Sequence, residues 1–133
     1  MSDYQLKKLK SCLLPETVYR QALWAVKDLP RMRESHLEME QSLDCLSQVY
    51  TGQPRGSGIH SDMTAKRAGQ MANLALRIRI IEDSLKVVPV EYRDGILDKV
   101  AYGVPYPDFR HPNTWRKWQQ AFLYEVAHGL HLY

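Results

Sequence analysis

Between Met63 and Val88 the apolar residues Met71, Leu74, Ile78, Ile81, Leu85 and Val88 recur at alternating spacings of three and four, and no other pattern constrains this chain so tightly. An α-helix turns once in about 3.6 residues, so this spacing gathers all six side chains on one stripe. A strand would scatter them over two faces. Ala65, Ala68, Ala72 and Ala75 are expected to widen the stripe and let another helix approach closely. A second helix is available just upstream. Met32, Met39, Leu43, Leu46 and Tyr50 follow helical spacing and describe an amphipathic segment of roughly 17 residues. The run from Thr51 to Ser61, TGQPRGSGIHS, reads as a loop, after which Ser61 or Asp62 can cap the long helix. Two striped helices joined by a Gly-rich loop should pack as an antiparallel hairpin.

The remaining segments are also helical. Pro15 and Glu16 suit a first turn, and Val18, Ala22, Val26 and Leu29 form a stripe behind them. Pro30 removes a backbone donor and should break that helix near Asp28–Leu29. Pro89 can open a helix over Val90–Val100 that turns Ile96, Leu97 and Val100 inward, and Gly103, Pro105 and Pro107 end it. Asn113 or Thr114 can cap the last helix, where Trp115, Trp118, Phe122, Val126 and Leu130 form the apolar stripe and Gly129 is placed to terminate it. The fold class expected is all-α.

Composition narrows the function classes. The chain has 133 residues, 44% hydrophobic and 25% charged, which fits a globular domain rather than a disordered one. No apolar run approaches the ~20 residues needed to span a bilayer, and the first residues lack the apolar core of a signal peptide. Cys12 and Cys45 form no CxxC and are read as two buried, reduced thiols, so a cytoplasmic location without membrane contact is expected. The five histidines are scattered, no GxSxG or HExxH occurs, and the paired acids Glu38/Glu40 and Glu82/Asp83 read as solvated helix surface. No enzyme activity, metal or cofactor is expected.

Net charge is only +3, but it is unevenly placed. Lys66, Arg67, Arg77, Arg79 and Lys86 outnumber Glu82 and Asp83 in the long helix, whereas the flanking regions are balanced. In the last helix Thr114, Arg116, Lys117, Gln119 and Gln120 fall largely opposite the aromatic stripe. Arg and Lys can reach phosphates or guanine, Asn or Gln can pair with adenine, and a helix N-terminus favours a phosphate. The alternative is an ordinary amphipathic helix docked on the hairpin.

The order SDMTAKRA, PVEYRDGIL, TWRKWQQAFLYEVAHGL resembles the phage and prophage late-gene transcriptional regulators of the RinA type. The likeness covers roughly residues 15–132 and is closest in Ser61–Ala68, Pro89–Leu97 and Thr114–Leu130. It rests on order and spacing, not on one diagnostic motif. The resemblance implies a helical hairpin and oligomerisation region over 1–88. It implies a helix-turn-helix-like region, similar to region 4 of sigma factors, over 89–133, the two forming one unit. Carried over, Asn113 and Thr114 match the cap of the recognition helix, Arg116, Lys117 and Gln120 its outward residues, and Trp115, Trp118, Phe122 and Val126 its core side. Where the family places a short W-x-x-I-A helix, this chain has VAYGVPYPDFRHP; either a rigid aromatic loop replaces that helix or Val90–Val100 does its job. The function implied is a transcriptional regulator that contacts double-stranded DNA through Asn113, Thr114, Arg116, Lys117, Gln119 and Gln120, with Arg77 and Arg79 extending a basic patch. Self-association and contact with RNA polymerase are the accompanying expectations. The alternative is a helical interaction, assembly or packaging module that does not bind DNA.

Overall fold

A computed structural model describes residues 5–7, 9–50 and 58–133, with side-chain surroundings for 5–7, 9–42 and 64–133. Among the described residues there are five α-helices and no strand: α1 (Glu16–Lys27), α2 (Leu29–Tyr50), α3 (Gly58–Ser84), α4 (Val90–Tyr102) and α5 (Pro112–Gly129). Two short 3-10 turns, Lys10–Cys12 and Leu85–Val87, precede α1 and follow α3. No helix among them is long and apolar enough to cross a membrane.

The breaks follow from proline and glycine. A single residue, Asp28, separates α1 from α2, and Pro30 sits in the first turn of α2, where a missing N–H costs nothing. Gly103 ends α4 in the left-handed conformation at φ 72, donating its N–H to Lys99 O while Val104 N–H reaches Asp98 O. The loop expected over Thr51–Ser61 is shorter than that, since α3 already includes Gly58 to Ser61. Residues 51–57, which carry the rest of that loop, lie outside the described residues.

Packing divides the chain into Met1–Pro30 with Arg79–Tyr133, and Arg31–Ile78, rather than at residue 88. In the larger unit α1 packs on both α4 and α5, α4 packs on α5, and both 3-10 turns rest on α5. Tyr19, Ala22, Leu23 and Val26 of α1, Tyr92, Ile96 and Val100 of α4, and Trp115, Phe122, Leu123, Val126 and Ala127 of α5 make its core. The apolar face of α1 is satisfied by α4 and α5, which is why the N-terminal helix belongs with the C-terminal ones. Cys12, expected to be buried, is a free, half-buried thiol; the surroundings of Cys45 lie outside the described residues.

In the smaller unit Arg67, Met71, Leu74 and Ile78 make the half-buried face of α3, and Arg67 donates to Ser42 Oγ of α2 at 3.3 Å. Ala65, Ala68, Ala72 and Ala75, expected to widen that face, are exposed instead. Ala68, Ala72 and Ala75 each follow a packed residue and so lie about 100° from it, and among the described residues that side stays exposed.

Gly129 does not act as the helix stop. The left-handed residue after α5 is His131, at φ 58, and Gly129 instead makes room for α3: a Cβ there would lie 2.5 Å from Ile80 Cγ2. Helix propensity alone favours Gly129→Ala by about 1 kcal/mol. The stiff β-branched neighbour should reverse that sign, giving a net loss of about 1–2 kcal/mol, read as a lower urea midpoint. An unchanged or higher midpoint would show that the two helices are not held this close.

Candidate nucleic-acid interface

The segment from Val104 to His111 decides how α5 is presented. It is not helical, so the helix preceding α5 is α4. The loop wraps the buried Trp115, 1% exposed. Tyr106 stacks on its indole at 5.0 Å, and Tyr92 and Phe109 meet it edge-on at 5.0 and 5.3 Å. Trp115 Nε1 donates to Pro107 O at 3.2 Å, and Gly95 leaves the space the ring occupies, since a Cβ there would lie 2.7 Å from it. Arg110 Nε donates to Tyr92 Oη at 2.9 Å, and that bond holds the guanidinium above its usual pKa. These contacts seat α5 against the core instead of lifting it away.

The seating reassigns two expected contact residues. Gln119 and Gln120 are 2% and 1% exposed. Gln119 donates to Tyr19 Oη at 3.4 Å and accepts from the Tyr106 hydroxyl. Gln120 accepts from Leu6 N–H at 2.7 Å and donates to Leu6 O and Cys12 O at 3.3 and 3.2 Å. It thereby ties the N-terminal segment to α5, while Gln5 pairs with both backbone groups of Leu14 at 2.7 Å. Buried amides with satisfied partners are not available to a base edge.

The helix start also differs from expectation. His111, not Asn113 or Thr114, is the N-cap: its Nδ1 accepts from Asn113 N–H at 3.1 Å and its carbonyl from Thr114 N–H at 2.9 Å. With proline at position 112, the first turn keeps few free donors for a phosphate. The surface that remains is made of side chains. Asn113 and Lys117 are exposed, Thr114 and Arg116 half-buried, and Arg116 already has a partner. Lys117 Nζ lies over the Trp118 ring at 4.9 Å. Trp118, expected in the core, is only half-buried.

The two remaining basic residues lie on α3. Arg77 is exposed in the smaller unit, and Arg79, in the larger, is exposed with Asp83 at 3.7 Å. The larger unit also holds a cleft of about 300 Å³ lined by Leu23, Val100, Gln119, Lys27 and Lys99 among others. Its two lysines stand in the last turns of α1 and α4, where positive charge compensates the carbonyl ends. Among the described residues no group of three or more His, Cys, Asp or Glu is placed to hold a metal ion.

Comparisons with family models, curated proteins and solved structures give no match. His111 and the Tyr106–Phe109–Arg110 clamp are the site residues that sequence reading missed; the His-Pro pair ahead of the helix was the available signal, because Pro at the first helical position places its predecessor at the cap.

Proposed function

We propose that this chain is a non-enzymatic, DNA-binding transcriptional regulator of phage or prophage genes, contacting duplex DNA through Asn113, Thr114, Arg116 and Lys117 at the start of α5. The observation that carries the reading is chemical: no carboxylate occurs between Asp108 and Glu125, and the exposed side chains there include Arg110, His111, Asn113 and Lys117 beside Phe109, with Thr114 and Arg116 half-buried. Such a surface repels no phosphate and offers donors to one. The resemblance to RinA-type regulators points the same way. Within this reading α2 and α3 form the antiparallel hairpin that serves self-association or contact with RNA polymerase, and α4 and α5 stand for the helix-turn-helix pair. Two copies on a two-fold site would supply the area that one short helix lacks.

The test is a binding titration against duplex fragments flanking the gene, at about 50 and about 200 mM salt. Replacing Arg116 and Lys117 together with alanine should weaken binding about tenfold or more and flatten the log–log salt slope by about 2. Wild-type affinity in that variant would remove α5 from the interface. A second reading, a protein-interaction or assembly module, is favoured by the capture of Gln119 and Gln120 in the core and by exposed apolar residues such as Val90 (76%) and Trp24 (64%). It would be supported if the wild-type chain bound no DNA at the lower salt concentration.

A further inference from the structure

The smaller unit carries a surface that sequence periodicity does not single out. On α3, Lys66, Gln70, Asn73 and Arg77 are all exposed and are spaced by four, three and four residues, so they form one straight row on the outward side. The row is about 16 Å long at the usual helical rise. The packed face of the same helix, Arg67, Met71, Leu74 and Ile78, lies one residue step, about 100°, round from the row. Beside the row stand Ala65, Gly69 and Ala72, also exposed, with Leu76, 57% exposed, one turn further along the same flank.

The charge of the row points to one kind of partner. From Met63 to Ile81 there is no carboxylate, and among the described residues none pairs with Lys66 or Arg77. Of the five acids of this unit, Glu34, Glu38 and Glu40 are exposed on α2, and Asp44 on α2 and Asp62 on α3 have side chains outside the described surroundings. A helix built to dock a second protein exposes large apolar side chains at the centre of its contact; Leu76 is 57% exposed on the adjoining flank, whereas the centre of the row is Gln70 and Asn73, two amide side chains whose donor and acceptor match the adenine edge. Lys66 and Arg77, one at each end, suit flanking phosphates or guanine.

We infer that the row Lys66–Gln70–Asn73–Arg77 on α3 is a second duplex-DNA contact surface, entering the major groove, with the charged ends holding the backbone and the amides reading bases. The groove is about 12 Å wide and admits one α-helix. The inference rests on the DNA-binding reading above and adds to it a surface in the other unit.

The experiment is fluorescence anisotropy of the full chain with a labelled mixed-sequence duplex and with the gene-flanking fragments, each at about 50 and about 200 mM salt. Lys66→Ala with Arg77→Ala should lower affinity for both probes about tenfold and reduce the salt slope by about 2. Gln70→Ala with Asn73→Ala should leave the salt slope and mixed-sequence affinity unchanged while reducing preference for the cognate fragment about tenfold. All four positions are exposed and alanine favours helix; Lys66→Gln with Arg77→Gln gives the same reading if the alanine variant is recovered poorly. If the wild-type chain binds DNA and both α3 variants bind as it does, the α3 surface is overturned while the α5 reading stands. If the wild-type chain binds neither probe at the lower salt, the DNA-binding reading falls and this surface with it.

Discussion

Trp115→Ala is expected to destabilise the larger unit by about 3–5 kcal/mol, the largest effect of any single substitution considered. The indole is 1% exposed and is held by Tyr92, Tyr106 and Phe109 around it and by Gly95 beneath it. Removing it leaves a cavity that the loop from Val104 to His111 cannot collapse into, because Pro105 and Pro107 restrict its backbone. The hydrogen bond to Pro107 O is lost as well. Chemical unfolding should show a lower midpoint together with a loss of near-UV aromatic dichroism. Trp115→Phe keeps much of the packing and should cost markedly less. If alanine and phenylalanine cost the same small amount, the loop is not clamped on this ring, and the start of α5 is presented differently from the account above.

Gln120→Leu is expected to be next, at about 2–3 kcal/mol. The replacement is similar in size, so the loss comes from hydrogen bonding and not from a cavity. Leu6 N–H, Leu6 O and Cys12 O each lose a partner in a part-buried setting, where a group left unsatisfied costs about 1 kcal/mol or more. Release of the N-terminal segment to solvent caps the total. Hydrogen exchange checks this directly: the Leu6 and Leu14 amides should lose protection while Phe122 and Leu123 keep theirs. Full retention of protection at Leu6 would mean that Gln120 is not what holds the segment. Because Gln120 was a natural candidate for base contact, the same variant separates two roles. A structural role predicts lost stability with DNA affinity following only the folded fraction, whereas a reading role predicts lost affinity at full stability.

Much of the architecture was legible from residue order. The all-helical class, the break at Asp28, the stop at Gly103 and the aromatic inner face of α5 follow from 3.6-residue spacing and from what proline and glycine do to a backbone. These are local properties, decided within one or two turns. What residue order could not decide was how wide the covered arc of each helix becomes. Gln119 follows Trp115 by four residues and precedes Phe122 by three, so it lies within the stripe, while Gln120 sits on its flank, which is wet or dry according to what packs beside it. With α1, α4 and the Lys10–Cys12 turn all on α5, the Gln120 flank is covered and both amides are buried. On α3 the opposite holds: among the described residues both flanks of the packed face stay exposed, Ala68, Ala72 and Ala75 on one and Lys66, Gln70, Asn73 and Arg77 on the other. Spacing therefore determined which side chains share a face, while only the tertiary structure decided which faces meet water, because that depends on contacts between residues as far apart in the chain as Leu6 and Gln120.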